Sequence, residues 1–578
     1  MNIKVALLTS LISLMSAHSS AQYGLTQRIS TTADSREAYE VSTSPKVSRN
    51  GALVLFKSRA AEIVPGGRRT RNIYLKDTLT GIIEQISLNY DGSQPNGHSS
   101  DSDMTPDGRY VVFVNSFAQI TPGVAGSEYL YKKDRLTGIA SLVSVSFSGQ
   151  PIGSCRYPSV SDDGRYVAFF SSATNVVPGD TNGLGDIFVR DTVLGINSRV
   201  SLRSTGEQVN QEPFMRSEMS GDASKVVFFS TDSQLVPGDT NFAADVFVRD
   251  LNAGTTVRVS ISDTEAQGNG ISYGWSISRN GRLVAFHSDA GNLVIGDTNA
   301  TSDVFVRDIQ LQTTKRVSVG PAGVQGNNWS GEAQISADGS TVAFNSTASN
   351  LVTGDANGLA DLFLHDLTSG SSLIASSSTA GMQADSYVVD FGVDPSGRYV
   401  AFSTSSPNPV PNDSNGFEDV FFHDSLGQRM VATTFALIQG STLGSLASLT
   451  HSDNNHLVCE PAFTQLGVPQ VQLVIESVSP TANPIGIELY VEASVPAPAS
   501  TCFIYFYDFV ALSYERVDVR TAGISDQYLI AHVDTPARFI GPNRKVRAKI
   551  DFLDEWPDFG PQWQAKVDHI MWSVRPPN

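Results

Sequence analysis

Two short runs decide the fold: Ser161-Asp162-Asp163-Gly164-Arg165-Tyr166-Val167-Ala168-Phe169-Phe170 and, after a loop, Asp186-Ile187-Phe188-Val189-Arg190-Asp191. Each reads as a strand, and variants of the pair recur down the chain. The closing aspartate falls at Asp77, Asp134, Asp191, Asp250, Asp308, Asp366 and Asp424, in steps of 57, 57, 59, 58, 58 and 58 residues. An upstream aromatic keeps the same step at Phe56, Phe113, Phe169, Phe228, Phe286, Phe344 and Phe402. A period of this size, filled with short apolar runs and Gly/Asp/Asn turns, marks a repeat protein whose unit is a small sheet.

In its clearest copy the unit has four strands, spanning 157–161, 165–170, 186–190 and 198–201. Asp163-Gly164 tolerates the positive backbone angles of a tight hairpin, and related turns stand at Asp107-Gly108, Asn280-Gly281 and Asp338-Gly339. The run Val167–Phe170 is apolar on both faces, as a sheet packed between neighbouring sheets requires. Such sheets repeated around an axis make an all-β propeller. The two runs resemble the TolB-type, WD-like propeller repeats over roughly residues 45 to 430. The resemblance implies the fold and little about function, because this blade serves periplasmic scaffolds, peptidase gating domains and some polysaccharide lyases alike.

Seven copies are plain. One further period reaches Asn455–Glu460 as a degraded second strand and 471–475 as a third, while Thr26–Ser30 has the form of a fourth strand. The expectation is an eight-bladed propeller over 22–476, alternatively seven-bladed, closed by pairing the N-terminal strand with the last blade. Residues 477–484 have the Pro-punctuated character of a linker, and 477–578 read as a small β-sandwich with strands near 485–495, 502–510, 528–533, 545–552 and 563–574. Its aromatics, among them Tyr505, Tyr507, Trp556, Trp563 and Trp572, fill a small core or form a glycan- or partner-binding face.

Residues 1–21 read as a secretory signal peptide, with Lys4, an apolar stretch over 5–15 and the small-residue site Ser19-Ser20-Ala21. A soluble periplasmic or secreted protein without a membrane span is expected, and no cysteine follows the cleavage site as a lipid anchor requires. The net charge of −18 makes nucleic acid an unfavourable partner. Three cysteines, Cys155, Cys459 and Cys502, are too few for a disulfide framework.

Antiparallel connectivity places the loop between strands two and three beside the loop joining successive blades, so the long-loop face is the expected binding surface. Five blades carry an Asp-x-Asn-x-x-x-Asp loop: Asp180, Asn182, Asp186; Asp239, Asn241, Asp245; Asp297, Asn299, Asp303; Asp355, Asn357, Asp361; and Asp413, Asn415, Asp419. Oxygen ligands at this spacing suit calcium, and the same residue types also cap turns through their own backbone. Tyr157, Phe214, Trp275, Trp329 and Tyr387, beside a recurring glutamine, are candidate recognition residues or fillers between blades. Gly270-Ile271-Ser272-Tyr273-Gly274 imitates a nucleophile elbow but lacks the strand-turn-helix context. The expected function is an exported, non-enzymatic scaffold that binds a protein or an envelope glycan. The alternative is a polysaccharide lyase or glycosidase on the same face, drawing on His98, Arg156, Arg216 or Glu332.

Overall fold

The computed structural model describes residues 25–425 except 79, 125, 380 and 412; beyond them it describes 428–431, 434–439, 441–443, 457–460, 471–478, 486–494, 500–521, 527–533, 536–554 and 565–575. The signal segment lies outside the described residues. Seven four-stranded antiparallel sheets follow one another, each strand paired with the next. Blade one comprises Ser42–Val47, Leu53–Ser58, Asn72–Asp77 and Ile83–Gln85; blade two His98–Met104, Tyr110–Ser116, Tyr129–Asp134 and Ala140–Leu142; blade three Cys155–Val160, Tyr166–Ser171, Asp186–Asp191 and Ile196–Arg199. Blade four comprises Ser217–Met219, Lys225–Ser230, Asp245–Asp250 and Thr255–Arg258; blade five Ser272–Ile277, Leu283–Ser288, Asp303–Asp308 and Thr313–Arg316; blade six Ser330–Ile335, Thr341–Ser346, Asp361–Asp366 and Ser372–Ile374. Blade seven has Val388–Val393, Tyr399–Thr404 and Asp419–Asp424, and its outermost strand is Leu25–Arg28 from the N-terminus.

The periodic aromatics explain the stacking. Each second-strand Phe sits in register with an aromatic of the third strand, as in Phe56 with Tyr74, Phe169 with Phe188 and Phe402 with Phe421, at centroid distances of 5.7, 6.0 and 5.6 Å. These pairs are buried in apolar clusters that bridge consecutive blades, and one cluster joins blade seven (Tyr399, Ala401, Phe422) to blade one (Val54, Phe56, Tyr74) and to Ile29. The ring is therefore closed by packing as well as by strand pairing. The repeat's last aspartate caps the hairpin between strands three and four. Asp191 Oδ1 accepts from the N–H groups of Val193 and Leu194, and the Arg165 guanidinium beside it holds its carboxyl down to about 2.

Closure is as expected, but the blade it completes is the seventh. The strand Leu457–Glu460, expected to open an eighth blade, pairs with Ala565–Arg575, and Val471–Val478 pairs with Lys545–Asp554. Both belong to the C-terminal unit. That unit has two antiparallel sheets, one of six strands and one of five, and includes a strand at Ser513–Thr521 that the sequence reading did not anticipate. Alternate residues are buried along its strands, including Val471, Leu473 and Ile475, Ile487, Leu489 and Val491, and Cys502, Ile504 and Phe506. This is the pattern of a sandwich with one covered face per sheet. Its strands begin at Gln428, so the boundary falls near residue 426 and not at 477. No helix among the described residues is long and apolar enough to cross a membrane.

The N-terminal strand also delivers a buried charge. Arg28 lies 2.9 Å from both Glu37 and Asp413 and 3.8 Å from Asp419, with its side chain 8% exposed. Removing one member of a buried ion pair leaves its partners charged without compensation. Arg28→Met is expected to lower stability by about 3 kcal/mol or more, measured by urea unfolding, and deletion of residues 22–32 to lower the melting temperature further or cause aggregation.

Candidate functional site

The innermost strands line a channel of about 270 Å³. In six blades this strand carries a bulge, where pairing shifts between Thr43 and Lys46, Ser99 and Ser102, Arg156 and Ser159, Tyr273 and Ser276, Gly331 and Gln334, and Val388 and Asp390. A bulge adds a residue to one strand and re-aims its side chains. Ser44, Tyr157 and Glu332 take left-handed backbone at these bulges, with φ of 55, 49 and 54°. Such conformations cost roughly 1 kcal/mol or more each. Asp101, Tyr157, Arg216 and Asp390 line the channel, together with Lys46, Asp103 and Glu218.

Most of these polar groups fasten one blade to the next. Asp103 Oδ2 accepts from the Val160 N–H at 3.0 Å, Ser159 Oγ from Met219 N–H at 3.1 Å, Glu218 Oε1 from Ile277 N–H at 3.3 Å and Ser276 Oγ from Ile335 N–H at 3.0 Å. Gln334 Nε2 continues the series by donating to the Phe391 carbonyl at 2.8 Å. At the junction of blades seven and one the equivalent residue is Gly392, where a Cβ would lie 2.5 Å from the Pro45 carbonyl oxygen. Burial pushes the Glu218 carboxyl up to about 7, against the pull of the Lys46 charge and the Ile277 N–H. Burial likewise raises Asp103. At the short-turn mouth Arg279 of blade five pairs with Asp162 of blade three across Gly221 of blade four.

The five aromatics expected to ring one face occupy different environments. Tyr157 lines the channel, with the Arg216 guanidinium 5.3 Å over its ring. Phe214 stacks on Phe229 at 4.4 Å and meets Tyr273 edge-on, filling a gap between blades four and five while remaining 41% exposed. Trp329 is half-buried against Gly331, and Tyr387 is 60% exposed. Trp275 belongs to the innermost strand of blade five; its side chain lies outside the described residues. The recurring glutamines brace the long loops: Gln208 and Gln383 donate to the carbonyls of Gly179 and Gly354, and Gln267 and Gln325 to Asp239 and Asp297. Exposed Phe117, Phe242 and Ile295 escaped the sequence reading. The available signal was a bulky apolar residue where other copies have a turn former, as at Phe242 after Asn241.

The Asp/Asn loops form one recurrent arrangement. The last Asp is fully buried and accepts from a serine two residues beyond the fourth strand: Ser201 to Asp186, Ser260 to Asp245, Ser318 to Asp303 and Ser376 to Asp361 at 2.5 to 2.7 Å, and Ser30 to Asp419 at 2.5 Å. The Asn donates to the same carboxylate, as Asn182, Asn241, Asn299, Asn357 and Asn415 do at 2.9 to 3.2 Å. In four blades a fourth-strand arginine joins both carboxylates: Arg199 with Asp180 and Asp186, Arg258 with Asp239 and Asp245, Arg316 with Asp297 and Asp303, and Arg28 with Asp413 and Asp419. A donor set already closed by a buried guanidinium does not fit calcium, which takes six to eight oxygens. In blade six Ile374 stands at the arginine position, opposite Phe363, and burial lifts the Asp361 carboxyl to about 6.

The residues considered for catalysis do not assemble as a group. Arg216 and Glu332 are close enough for the arginine's charge to draw the Glu332 carboxyl down, though burial raises it overall. His98 instead accepts from the Arg71 N–H at 3.2 Å, and Arg156 pairs with Glu128. Ser272 is buried at the start of a strand, 2.8 Å from Ser288 Oγ, and cannot act as an exposed nucleophile. His365 and His423 are buried separately against Ser372 and Thr26, each at 2.9 Å. Burial pushes the Cys155 thiol up to about 12, so it is inert; Cys502 is also buried, and the side chain of Cys459 lies outside the described residues.

No protein-family model matches the chain, and no curated protein matches it in sequence. Among solved structures it is similar to a candidate TolB from Agrobacterium tumefaciens, at 14% identity over 48% of this chain and 80% of that one with a TM-score of 0.31. It is also similar to the β-propeller domain of the Trilobed protease from Pyrococcus furiosus, at 11% identity over 67% and 96% of the two chains with a TM-score of 0.41. A third likeness is the acylaminoacyl peptidase of Pyrococcus horikoshii, at 10% identity over 75% of this chain and 59% of that one, with a TM-score of 0.41. These likenesses are distant, and the propeller assignment rests on the strand pairing above.

Two substitutions check the electrostatics. The Glu218 carboxyl has its ordinary value near 4.5 when unfolded and about 7 when folded, so its contribution to stability is full below the first value and lost as pH rises through the second. Glu218→Gln keeps the acceptor without the charge, and its melting temperature relative to wild type is expected to climb between about pH 5 and about pH 8. Ile374→Arg supplies blade six with the guanidinium of its neighbours and is expected to stabilise by ~1 kcal/mol. That gain should be larger above about pH 6, where Asp361 is ionised, than below it.

Proposed function

We propose that the chain is an exported, non-enzymatic β-propeller that binds a protein of the cell envelope on its long-loop face, with the C-terminal β unit as a second recognition module. The observation that carries this reading is the placement of exposed aromatics. Among the described residues Tyr39, Tyr90, Phe117, Phe147, Phe214, Phe242, Tyr387 and Phe417 are the large aromatics left substantially in solvent. Every one lies in a loop between strands two and three or in a loop between blades. The exposed apolar residues at the opposite turns, such as Val193, Leu194 and Ile139, are aliphatic. Aromatic anchors carry much of the energy of protein interfaces, and their concentration on one edge distinguishes that edge from ordinary surface. The channel carboxylates Asp103 and Glu218 are engaged in holding adjacent blades, which weighs towards binding over lyase or glycosidase chemistry.

The test is capture from an envelope extract. Phe117→Asp combined with Phe242→Asp is expected to reduce the recovered partner at least about tenfold, consistent with loss of interface hot spots, while the melting temperature stays that of wild type. The same charges at Val193 and Leu194 should leave capture intact. Equal loss from both pairs would remove the long-loop face from this reading.

A further inference from the structure

Blade one breaks the repeat at three equivalent positions, all at the long-loop end. The fifth residue of the second strand is Lys57 there, and Val114, Phe170, Phe229, His287, Asn345 and Ser403 in the other blades. The residue just after that strand is Arg59, against Phe117, Ser172, Thr231, Asp289, Thr347 and Ser405. The residue just before the third strand is Arg71, against Glu128, Gly185, Ala244, Ser302, Ala360 and Glu418. None of these other positions carries a lysine or an arginine. The intervening loop is inverted as well. Where blades three to seven have an acidic Asp-x-Asn-x-x-x-Asp loop, blade one has Gly66-Gly67-Arg68-Arg69-Thr70-Arg71, and the buried last Asp has become Asn72.

These cations surround a cavity. Val41, Thr43, Lys57, Ser58, Arg59 and Arg71 enclose about 290 Å³. Arg68 and Arg69, on the same loop, contact Asn96 and Glu40. Among the described residues, Lys57, Arg59 and Arg71 form no ion pair, and the buried Nε of Arg71 has no hydrogen-bond partner. Lys57 senses Asp101, Asp390 and Glu418 only at longer range. Three cations around one cavity, none of them in an ion pair, in a chain of net charge −18, stand against the repeat and against the electrostatics of the whole molecule. Uncompensated charge at a partly buried site is unfavourable unless something of opposite sign binds there, and guanidinium and ammonium groups are the usual grip on carboxylate and phosphate.

We propose that this end of blade one is an oxyanion-binding site, in which Lys57, Arg59 and Arg71 hold the carboxylate or phosphate head of a small ligand. The cavity admits one such head group with a short body. The site does not depend on which protein docks on the aromatic edge.

The experiment uses the full mature chain in low-salt buffer, titrated calorimetrically with inorganic phosphate and, separately, with succinate, against chloride at equal ionic strength. One of the two oxyanions is expected to bind with saturation and to raise the melting temperature, as a ligand of the native state must; which one does so identifies the head group. Lys57→Gln and Arg71→Gln should each weaken binding at least tenfold, whereas Arg165→Gln, on blade three, should leave it unchanged. Should Arg71→Gln fail to fold, Arg59→Gln at an exposed position reads the same effect. Neither oxyanion binding beyond chloride, or wild-type affinity in the blade-one variants, overturns the proposal.

Discussion

One contact holds this ring shut: a strand from the N-terminus adds itself to a blade that the rest of the chain leaves with three strands. Leu25–Arg28 completes blade seven, Ser30 bonds the buried Asp419 across 389 positions of sequence, and Arg28 enters the carboxylates of Asp413 and Asp419. A three-stranded seventh blade would present an open sheet edge, and its buried carboxylates would lack a counter-ion. Both penalties disappear in one step. The cost is the entropy of closing a very long loop, which grows only logarithmically with length.

The same arginine shows how the repeat is built. In blades three, four and five the guanidinium reaches the loop carboxylates from a strand that follows them closely in sequence; in blade seven it arrives from the opposite end of the chain. In these four blades the structural demand is the same, a buried pair of carboxylates needing a positive charge, and only the chain's route to it differs. Around the channel, hydrogen bonds from one innermost strand to the next satisfy N–H groups on the channel side of those strands, which no further strand pairs. Fastening and channel lining are thus one set of residues.

Function is then sought where the repeat departs from itself. A position that serves the blade recurs, as the stacked aromatic pairs and the capping aspartates do. The exposed aromatics of the long-loop edge and the cations of blade one do not recur, and, Phe214 apart, no packing of the blade described above accounts for them. Departures of this kind are where local rules yield to a binding role.

The period, the four strands of the blade, the aromatic core and the closing strand at Thr26–Ser30 were legible in the sequence because each depends on local pattern: alternation, turn residues and a fixed step. Adding one more period to reach residues 455–475 failed for the complementary reason. Leu457–Glu460 and Val471–Val478 are good strands, but a strand does not state its partner, and theirs lie roughly 70 to 110 residues downstream. The Asp/Asn loops read as ion ligands or as turn formers because the arginine that completes four of them lies on another strand, and for Asp413 and Asp419 at the other end of the chain. The sequence alone determined that this is a ring of small sheets. Which strand ends the ring, which cation each carboxylate meets and which polar groups face the channel were decided by the tertiary structure, because burial and long-range pairing set those outcomes and neither is visible in a local run of residues.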